Sequence, residues 1–353
     1  MTLELKIFQG FIKEKKLNGE DIKIPKTFFN SENDNFSKPE NDFEQRKADI
    51  IKEDEPCGEL KFKKIQIKTA ASGFSYFLDG IERKKILCYL RTIPVIYGYV
   101  GAAVLKRTDK TLHSTDLEIG EGIFYIPVKE NNNCPSHYFE LKEIEKIKNN
   151  YKNVGIIPNQ GKRKAYPVFP DEFIQQAHSE IQEKRRKIED KLTNKWLDSK
   201  FKDGWLFVDG TLNTKSQNIL ESSNIAGIVK SHGVYYFPFE KMCELYSMEK
   251  GQRSSVFQPY DKTGKKKDIF TWYLRLHHDK RNGVNDFGIV RVEIPAKKEL
   301  ISRVDEISSW ILLETKPVGF PASRWDRMIY PIKYCEDYLK AKAPGWTMIE
   351  SLS

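Results

Sequence analysis

The segment Leu206-Phe207-Val208-Asp209-Gly210-Thr211 is an apolar, β-prone run that ends in Asp-Gly. The strand it predicts, residues 205–208, is apolar throughout, which indicates a central strand covered on both faces. An earlier segment, Phe77-Leu78-Asp79-Gly80, has the same form. A carboxylate at the end of a buried strand, followed by a glycine that lets the chain turn away, is held rigidly. Asp79 and Asp209 are therefore candidate site residues.

The surrounding pattern predicts an α/β fold. Strands are predicted in quick succession at 73–78, 86–91 and 97–106, which favours an antiparallel meander with Asp79-Gly80 in its first turn. The longest helical pattern, 171–197, carries one apolar stripe and directly precedes the central strand. An acid on the first strand of a meander and a second acid on a central strand after a helix would suit an RNase H-like mixed sheet flanked by helices.

Further strands and helices are predicted after the central strand. The strands are expected at 225–229, 234–237, 270–276 and 287–294, and the helices at 301–313 and 325–341. Residues 1–70 are interpreted as an N-terminal extension with a polar linker, because residues 31–56 are poor in apolar side chains. Residues 71–345 are interpreted as one RNase H-like domain, with an insertion at about 130–170 that is rich in Asn, Lys, Gly and Pro.

Composition narrows the class of protein. The 353 residues are 39% hydrophobic, which is enough for a substantial core. The formal charge of +9 suits a polyanionic partner such as nucleic acid, although a solvated lysine-rich surface explains it as well. The five cysteines are far apart and form no Cys-x-x-Cys pair, so we expect neither a disulfide framework nor a structural zinc. The sequence contains no apolar run of membrane-spanning length and no secretory pattern. We therefore expect a cytoplasmic protein that is not associated with a membrane.

Two aspartates on strands and a third acid on a nearby helix could hold Mg²⁺ or Mn²⁺ for phosphodiester cleavage. The predicted helix offers four candidates for the third acid: Glu180, Glu183, Glu189 and Asp190. Of these, Glu189 borders the apolar stripe. Alternatives stay open for each residue. Asp79-Gly80 also fits a type I′ hairpin turn, and Glu189 also fits an exposed helix carboxylate paired with Arg185.

Several basic residues are candidates for phosphate contacts. Lys230 ends an apolar strand shortly after Asp209, where it could bind the scissile phosphate, or could be an ordinary strand-end lysine. Arg291 could contact the DNA backbone or an acidic partner. The loop with Lys265 and Lys266 could grip phosphate or could simply be solvated.

Two other enzyme classes are excluded. Val208-Asp209-Gly210-Thr211-Leu212 is similar to the first motif of haloacid-dehalogenase-type phosphatases, which requires a nucleophilic Asp two residues before the second Asp. Phe207 stands there, so the covalent aspartyl-phosphate route is closed. There is no Gly-x-x-x-x-Gly-Lys-Ser/Thr loop, so the chain is not expected to be a P-loop ATPase.

The chain resembles the NurA nuclease family, which has an RNase H-like core, over residues 70–345. The resemblance depends on the shared order of several short motifs. In chain order they are Leu78-Asp79-Gly80, Arg185-Arg186-Lys187-Ile188-Glu189, Val208-Asp209-Gly210-Thr211-Leu212, Gly227-Ile228-Val229-Lys230, Arg291-Val292-Glu293-Ile294-Pro295 and Gly319-Phe320-Pro321.

The resemblance implies a DNA nuclease that needs Mn²⁺ or Mg²⁺, forms a homodimer and works with a HerA-type hexameric ATPase in DNA end processing or anti-phage defence. Asp79, Glu189 and Asp209 would be its metal ligands. The chain departs from the family pattern at its C-terminal end, where Phe320 replaces a tyrosine and Met328 falls near an expected histidine. Asp326 is the candidate for the last acid.

Two alternatives remain from the sequence. A catalytically impaired RNase H-like subunit could dock an ATPase or clamp DNA without cutting it. A nuclease of the same fold could act on RNA, since the sequence does not decide between the two nucleic acids.

Overall fold

The computed structural model describes residues 3–20, 22–23, 44–51, 59–90, 92–129, 138–139, 154–157, 168–199, 203–231, 233–277, 286–315 and 325–345. Across these residues the chain is a mixed α/β protein with a large mixed sheet flanked by helices. The fold class expected from the sequence is confirmed at this level. Within the same ranges, no helix has both the length and the apolar character needed to span a membrane.

The secondary-structure elements are numbered in chain order. The strands are β1 (Ile22–Lys23), β2 (Glu44–Gln45), β3 (Ala48–Ile50), β4 (Phe62–Lys64), β5 (Phe74–Leu90), β6 (Ile93–Thr108), β7 (Thr111–Pro127), β8 (Val154–Ile157), β9 (Trp205–Asp209), β10 (Ile225–Val229), β11 (Val234–Tyr235), β12 (Gln252–Ser254), β13 (Phe257–Pro259), β14 (Ile269–Arg275) and β15 (Ile289–Pro295). The helices are α1 (Leu3–Leu17), α2 (Pro170–Asp198), α3 (Gln217–Glu221), α4 (Phe239–Tyr246), α5 (Lys298–Ile301), α6 (Val304–Leu313) and α7 (Tyr330–Lys342), with a 3-10 turn at Trp325–Arg327.

The centre of the sheet has the strand order β14-β15-β10-β9-β5-β6-β7-β8. Strands β5, β6 and β7 form an antiparallel meander, whereas β9 is parallel to both of its neighbours, β5 and β10. Strands β15 and β14 continue the sheet in antiparallel order beyond β10. Strand β9 is buried from Trp205 to Val208, so the prediction of a central strand is confirmed.

Strand β5 does not stop at Asp79. It continues to Leu90 and pairs antiparallel with β6, with Asp79 opposite Ala103 and Gly80 opposite Ala102. The predicted turn at Asp79-Gly80 and the separate strands at 73–78 and 86–91 are therefore wrong. The polar sequence of residues 82–85 is typical of a turn. These residues are extended because β6 supplies their hydrogen-bond partners, and such pairing outweighs local propensity. Asp79 consequently lies in mid-strand.

Different helices cover the two faces of the central strands. Side chains alternate between the faces, so Phe77 and Phe207 pack in one core with α6 and α7, whereas Leu78 and Val208 pack in another with α2. Helix α2 covers the whole of the helix predicted at 171–197, which confirms it. By the same alternation, Asp79 and Asp209 are on the face covered by α7.

Most later elements agree with the sequence. The predicted strands at 225–229, 270–276 and 287–294 are β10, β14 and β15, and the predicted strand at 234–237 is shortened to β11. The helix expected at 325–341 is divided into the 3-10 turn and α7, whose first turn contains Pro331, a residue favoured at a helix start. The helix expected at 301–313 is α6, preceded by the single turn α5.

The N-terminal residues are part of the sheet where they are described. Strand β3, inside the predicted linker, pairs with β13, and β2 pairs with β11. The rest of that linker, most of the predicted insertion at 130–170 and the motif Gly319-Phe320-Pro321 lie outside the described residues.

Candidate active site

Two aspartates lie side by side at the centre of the sheet. Leu78 of β5 is paired with Val208 of the parallel strand β9, so the next residues, Asp79 and Asp209, are lateral neighbours. Asp79 is 6% exposed, and the side chain of Asp209 is 25% exposed. Strand β9 ends at Asp209 while β5 continues, so the two carboxylates are placed where the sheet opens.

Gly80 makes room for the third acid. A Cβ atom at Gly80 would lie 2.1 Å from Oε1 of Glu189, much closer than any real contact. Glu189 approaches from the α2 side, whereas Asp79 points to the opposite face. The missing side chain leaves a window in the α2 face of β5, in which the Glu189 carboxylate lies against the backbone next to Asp79. The backbone N–H of Gly80 also donates a 2.7 Å hydrogen bond to Oδ1 of Asp79.

Burial and neighbouring negative charge raise the pKa values of Asp79 and Glu189. Burial raises the pKa of Asp79 well above its usual range, and the nearby charges of Asp209 and Glu189 raise it further. Burial raises the pKa of Glu189 to about 7, with a further contribution from Asp209. The charge of Asp209 thus acts on both Asp79 and Glu189. We call Asp79, Glu189 and Asp209 the acid cluster.

Two cations partly neutralise the acid cluster. Nζ of Lys230, the residue after β10, lies 2.9 Å from Oδ1 of Asp209. On α2, Nη1 of Arg185 lies 2.5 Å from Oε1 of Glu189, and Nε of Arg185 lies 3.3 Å from Oε2 of Glu82. Burial alone would lower the pKa of Lys230, but the neighbouring carboxylates outweigh burial and raise it. Lys230 is therefore held as an ammonium ion beside the acids.

Asp326, the candidate fourth ligand, is bonded elsewhere. Its Oδ2 accepts the backbone N–H of Gly288 at 2.8 Å and lies 3.3 Å from Nε of Arg327. Arg327 donates to the carbonyl oxygens of Lys230 and, at 2.7 Å, of Asp286. Asp326 thus anchors the 3-10 turn near the start of β15. Its connection to the acid cluster runs through Arg327 and the Lys230 backbone.

The other basic candidates lie outside the acid cluster. Arg291 on β15 is 5% exposed, and its Nη2 donates a 2.8 Å hydrogen bond to Oε1 of Glu293. Lys265 and Lys266 lie on the exposed turn that leads into β14, which β15 and β10 separate from β9. Nζ of Lys266 lies 2.5 Å from Oδ2 of Asp49. Of the predicted phosphate contacts, Lys230 is therefore the one at the acids.

The sequence reasoning missed two acids that the structure connects to the site. Glu82 is two residues after Gly80, on the same face of β5, and shares Arg185 with Glu189. Glu293 is 1% exposed inside the buried strand β15. Two opposite charges, Arg291 and Glu293, in an otherwise apolar strand are a signal that could have identified Glu293. Glu82 follows from the extension of β5, which the sequence did not reveal.

The acid cluster fits a hard divalent cation in donor type, because carboxylate oxygens are the ligands that Mg²⁺ and Mn²⁺ prefer. Its three side chains are not arranged as a metal coordination site. Among the residues with a described placement, no group of three or more His, Cys, Asp and Glu side chains is arranged to hold a metal ion. Asp209 and Glu189 are turned to Lys230 and Arg185 instead. Metal binding would require side-chain rotations that break at least one of these ion pairs.

No model of a known protein family matches this chain, and no curated protein is significantly similar to it. The site's own residues and geometry are therefore the basis for assigning a function.

Proposed function

We propose that this protein is a metal-dependent nuclease that hydrolyses phosphodiester bonds in DNA through Asp79, Glu189 and Asp209. The observation that carries the proposal is the convergence of these acids at the open end of β9, where Gly80 admits Glu189 from the opposite face. Burial and neighbouring carboxylates raise the pKa values of Asp79 and Glu189, and groups perturbed in this way are concentrated at functional sites.

The sheet topology supports an RNase H-like core of the NurA type. An antiparallel meander of β5, β6 and β7 leads through α2 to β9, which is inserted parallel beside β5, and β10 then adds in parallel to β9. The resulting order β7-β6-β5-β9-β10 places an acid on the first strand of the meander and another on the central strand. This is the layout expected for that core.

Mn²⁺ or Mg²⁺ held by the acid cluster would supply positive charge at the reacting phosphate and favour the attack of water. The chain's own residues have complementary tasks. Asp79 and Glu189 must lose their protons before they can act as ligands, and Arg185 favours the ionised form of Glu189. Lys230 carries a positive charge at the open end of β9, where it could shift from Asp209 to the scissile phosphate and stabilise the charge that develops on it.

The proposed partners follow from the resemblance to the NurA family and from the net charge of the chain. The formal charge of +9 favours association with DNA. A homodimer and a HerA-type hexameric ATPase are the expected partners. Co-expression with such an ATPase, followed by size-exclusion chromatography with light scattering, tests both: a monomer that does not co-elute with the ATPase would contradict the partner proposal.

A cleavage assay with added Mn²⁺ tests the proposed activity. Asp209→Asn and Asp79→Asn keep side-chain size but remove the charged ligand, and each should reduce cleavage by at least about 100-fold with the fold preserved. Asp261→Asn is the matched control, since Asp261 is a turn residue whose carboxylate accepts the Thr263 backbone N–H away from the acid cluster. Wild-type rates in purified Asp209→Asn would refute the assignment.

A second function is favoured by one observation. Lys230 and Arg185 already neutralise two of the three acids, as in a purely structural ion network. In that case the protein is a catalytically impaired RNase H-like subunit that docks an ATPase or clamps DNA. The absence of Mn²⁺-dependent cleavage by the wild type, together with retained DNA or ATPase binding, would select this alternative.

A further inference from the structure

Side chains hold the loop after Asp209 from both sides. This loop, residues 210–216, is called here the bridging loop. The backbone N–H of Leu212 donates a 2.9 Å hydrogen bond to Oε2 of Glu293. On the other side, Nδ2 of Asn213 donates a 2.8 Å hydrogen bond to Oδ2 of Asp190. Because Asp190 directly follows Glu189 on α2, the loop connects two members of the acid cluster.

The contact with Glu293 is built into the sheet. Glu293 of β15 is opposite Gly227 of β10. A Cβ atom at Gly227 would lie 2.7 Å from the carbonyl oxygen of Gly210 and 3.0 Å from Cγ of Leu212. The bridging loop therefore lies directly over Gly227, within reach of the Glu293 side chain. A larger residue at position 227 would push the loop away from the sheet.

Both carboxylate oxygens of Glu293 have defined partners. Oε2 accepts the Leu212 N–H, and Oε1 accepts Nη2 of Arg291 at 2.8 Å. The Arg291 guanidinium in turn lies over the ring of Tyr236, 5.2 Å from its centroid. Glu293 is thus fixed by a charged partner while it accepts a charge-assisted hydrogen bond from the loop.

Gly210 explains why the loop needs such an anchor. Its φ of +119° lies in a region that glycine adopts freely, so the chain can turn sharply after Asp209 but has little intrinsic stiffness there. The carboxylate of Glu293 supplies a fixed point two residues further on. The chain after Asp209 is thus held at two points, by the 2.8 Å hydrogen bond from the Gly210 N–H to the Ile228 carbonyl oxygen and by the Glu293 carboxylate at Leu212.

We infer that Glu293 is a positioning residue that fixes the bridging loop and, through it, the placement of Asp209 relative to Glu189. The effect on catalysis rests on the proposed nuclease function, whereas the effect on the loop does not. Glu293→Gln tests both. Leu212 and Arg291 donate to different oxygens of Glu293, so a glutamine in the same orientation turns its acceptor oxygen to one donor and its NH₂ group to the other.

A matched control separates positioning from general loss of stability. Glu314→Gln disrupts another buried Arg–Glu pair, in which Nη1 and Nη2 of Arg107 each lie 2.7 Å from a Glu314 oxygen. Both variants lose one buried carboxylate charge and leave an arginine without it. Only Glu293→Gln should increase hydrogen exchange in peptides that cover residues 210–216. Only that variant should lower the rate of Mn²⁺-dependent cleavage, by about 10- to 100-fold, mainly in kcat.

A double variant tests the mechanism of the effect. In Arg291→Met/Glu293→Gln the competing donor is gone, so the glutamine oxygen is available to the Leu212 N–H. We expect hydrogen exchange over residues 210–216 to return towards the wild-type rate. In Arg291→Met/Glu293→Leu no acceptor remains, and exchange should stay fast. These measurements need neither metal nor DNA, so an effect of Arg291 on DNA binding cannot confuse them.

Each outcome decides the inference. Unchanged exchange in Glu293→Gln would overturn it, because the loop would then be held without Glu293. Faster exchange with unchanged cleavage would overturn the positioning role. If the wild type cleaves no DNA and its thermal stability does not respond to Mn²⁺, the proposed function fails. The exchange rates of the single and double variants then decide the inference by themselves.

Discussion

Gly80→Ala should reduce Mn²⁺-dependent cleavage without unfolding the protein. The added Cβ atom would lie 2.1 Å from Oε1 and 2.9 Å from Cδ of Glu189, whereas real Cβ contacts are essentially never shorter than 3.0 Å. The Glu189 carboxylate must therefore retreat by about 0.9 Å or rotate away from the window. A misplacement of about 1 Å can cost about 100-fold in rate, which corresponds to about 2.7 kcal/mol in the activation barrier.

Two opposing effects keep the expected change in stability small. Alanine in place of glycine in a strand is favourable by about 0.5–1 kcal/mol, because the unfolded chain has less freedom to lose. Overpacking is unfavourable by about 1–3 kcal/mol when the core cannot adjust. Here the closest atom is the end of a flexible side chain, so rotation of Glu189 relieves most of the strain. We expect the free energy of unfolding to stay within about 1 kcal/mol of wild type.

The assay compares initial cleavage rates at saturating Mn²⁺ with denaturant unfolding of the same samples. Gly101→Ala is the control, since it lies on β6 opposite Ile81 and its Cβ would meet Cε1 of Tyr99 at an adjustable 3.3 Å. A double variant with Glu189→Ala adds a sharper test. Once the carboxylate is absent, the alanine at position 80 should have no further effect. A wild-type cleavage rate in Gly80→Ala, or a lower rate in the double variant than in Glu189→Ala alone, would refute the claim that Gly80 makes room for Glu189.

Three other predictions follow from the same site. The pKa of Glu189 in the folded protein, about 7, exceeds its ordinary value of 4.5. The free energy of unfolding of the metal-free protein should therefore fall by about 3 kcal/mol as the pH rises through that interval, because the folded state holds the proton more tightly. Glu189→Gln should remove this part of the pH dependence when unfolding by denaturant is measured in EDTA. Lys230→Gln leaves Asp209 without its cation and should lower the free energy of unfolding by about 1–3 kcal/mol; Mn²⁺ should stabilise this variant more than the wild type in thermal melts. Burial raises the pKa of the Cys335 thiol, so a thiol reagent followed by peptide mass spectrometry should find the exposed Cys243 modified before Cys335.

The elements that the sequence predicts well are those with a strong local pattern. Residues 205–208 are apolar throughout, and their burial between two parallel neighbours follows from that composition. The apolar stripe of α2 specifies a helix from its 3.6-residue period. Strand β5 is the counterexample, because residues 82–85 are charged and resemble a turn. Their extended form depends on pairing with β6, which is remote information that no local window contains.

The same distinction explains what the sequence predicts about the site. Asp79 and Asp209 are recognisable because each follows an apolar run in the same strand. The reason for Gly80 is not recognisable, since a glycine after an aspartate indicates a turn as readily as a window. That window depends on the packing of α2 against the sheet, which brings a residue 109 positions later within van der Waals contact. Glu293 depends in the same way on the pairing of β15 with β10.

The ion pairs at the acid cluster admit two explanations that differ in what a metal ion would do. If Lys230 and Arg185 are permanent partners, Mn²⁺ gains little by entering, because the charges of Asp209 and Glu189 are already compensated. Asp79 argues for the other explanation. It is buried with a raised pKa, and its 2.7 Å hydrogen bond comes from a neutral backbone N–H. The cluster therefore holds at least one carboxylate whose ionisation the two cations do not fully support. A divalent ion would offset the cost of ionising Asp79, and its attraction to the ionised carboxylate would favour metal binding over the closed ion pairs.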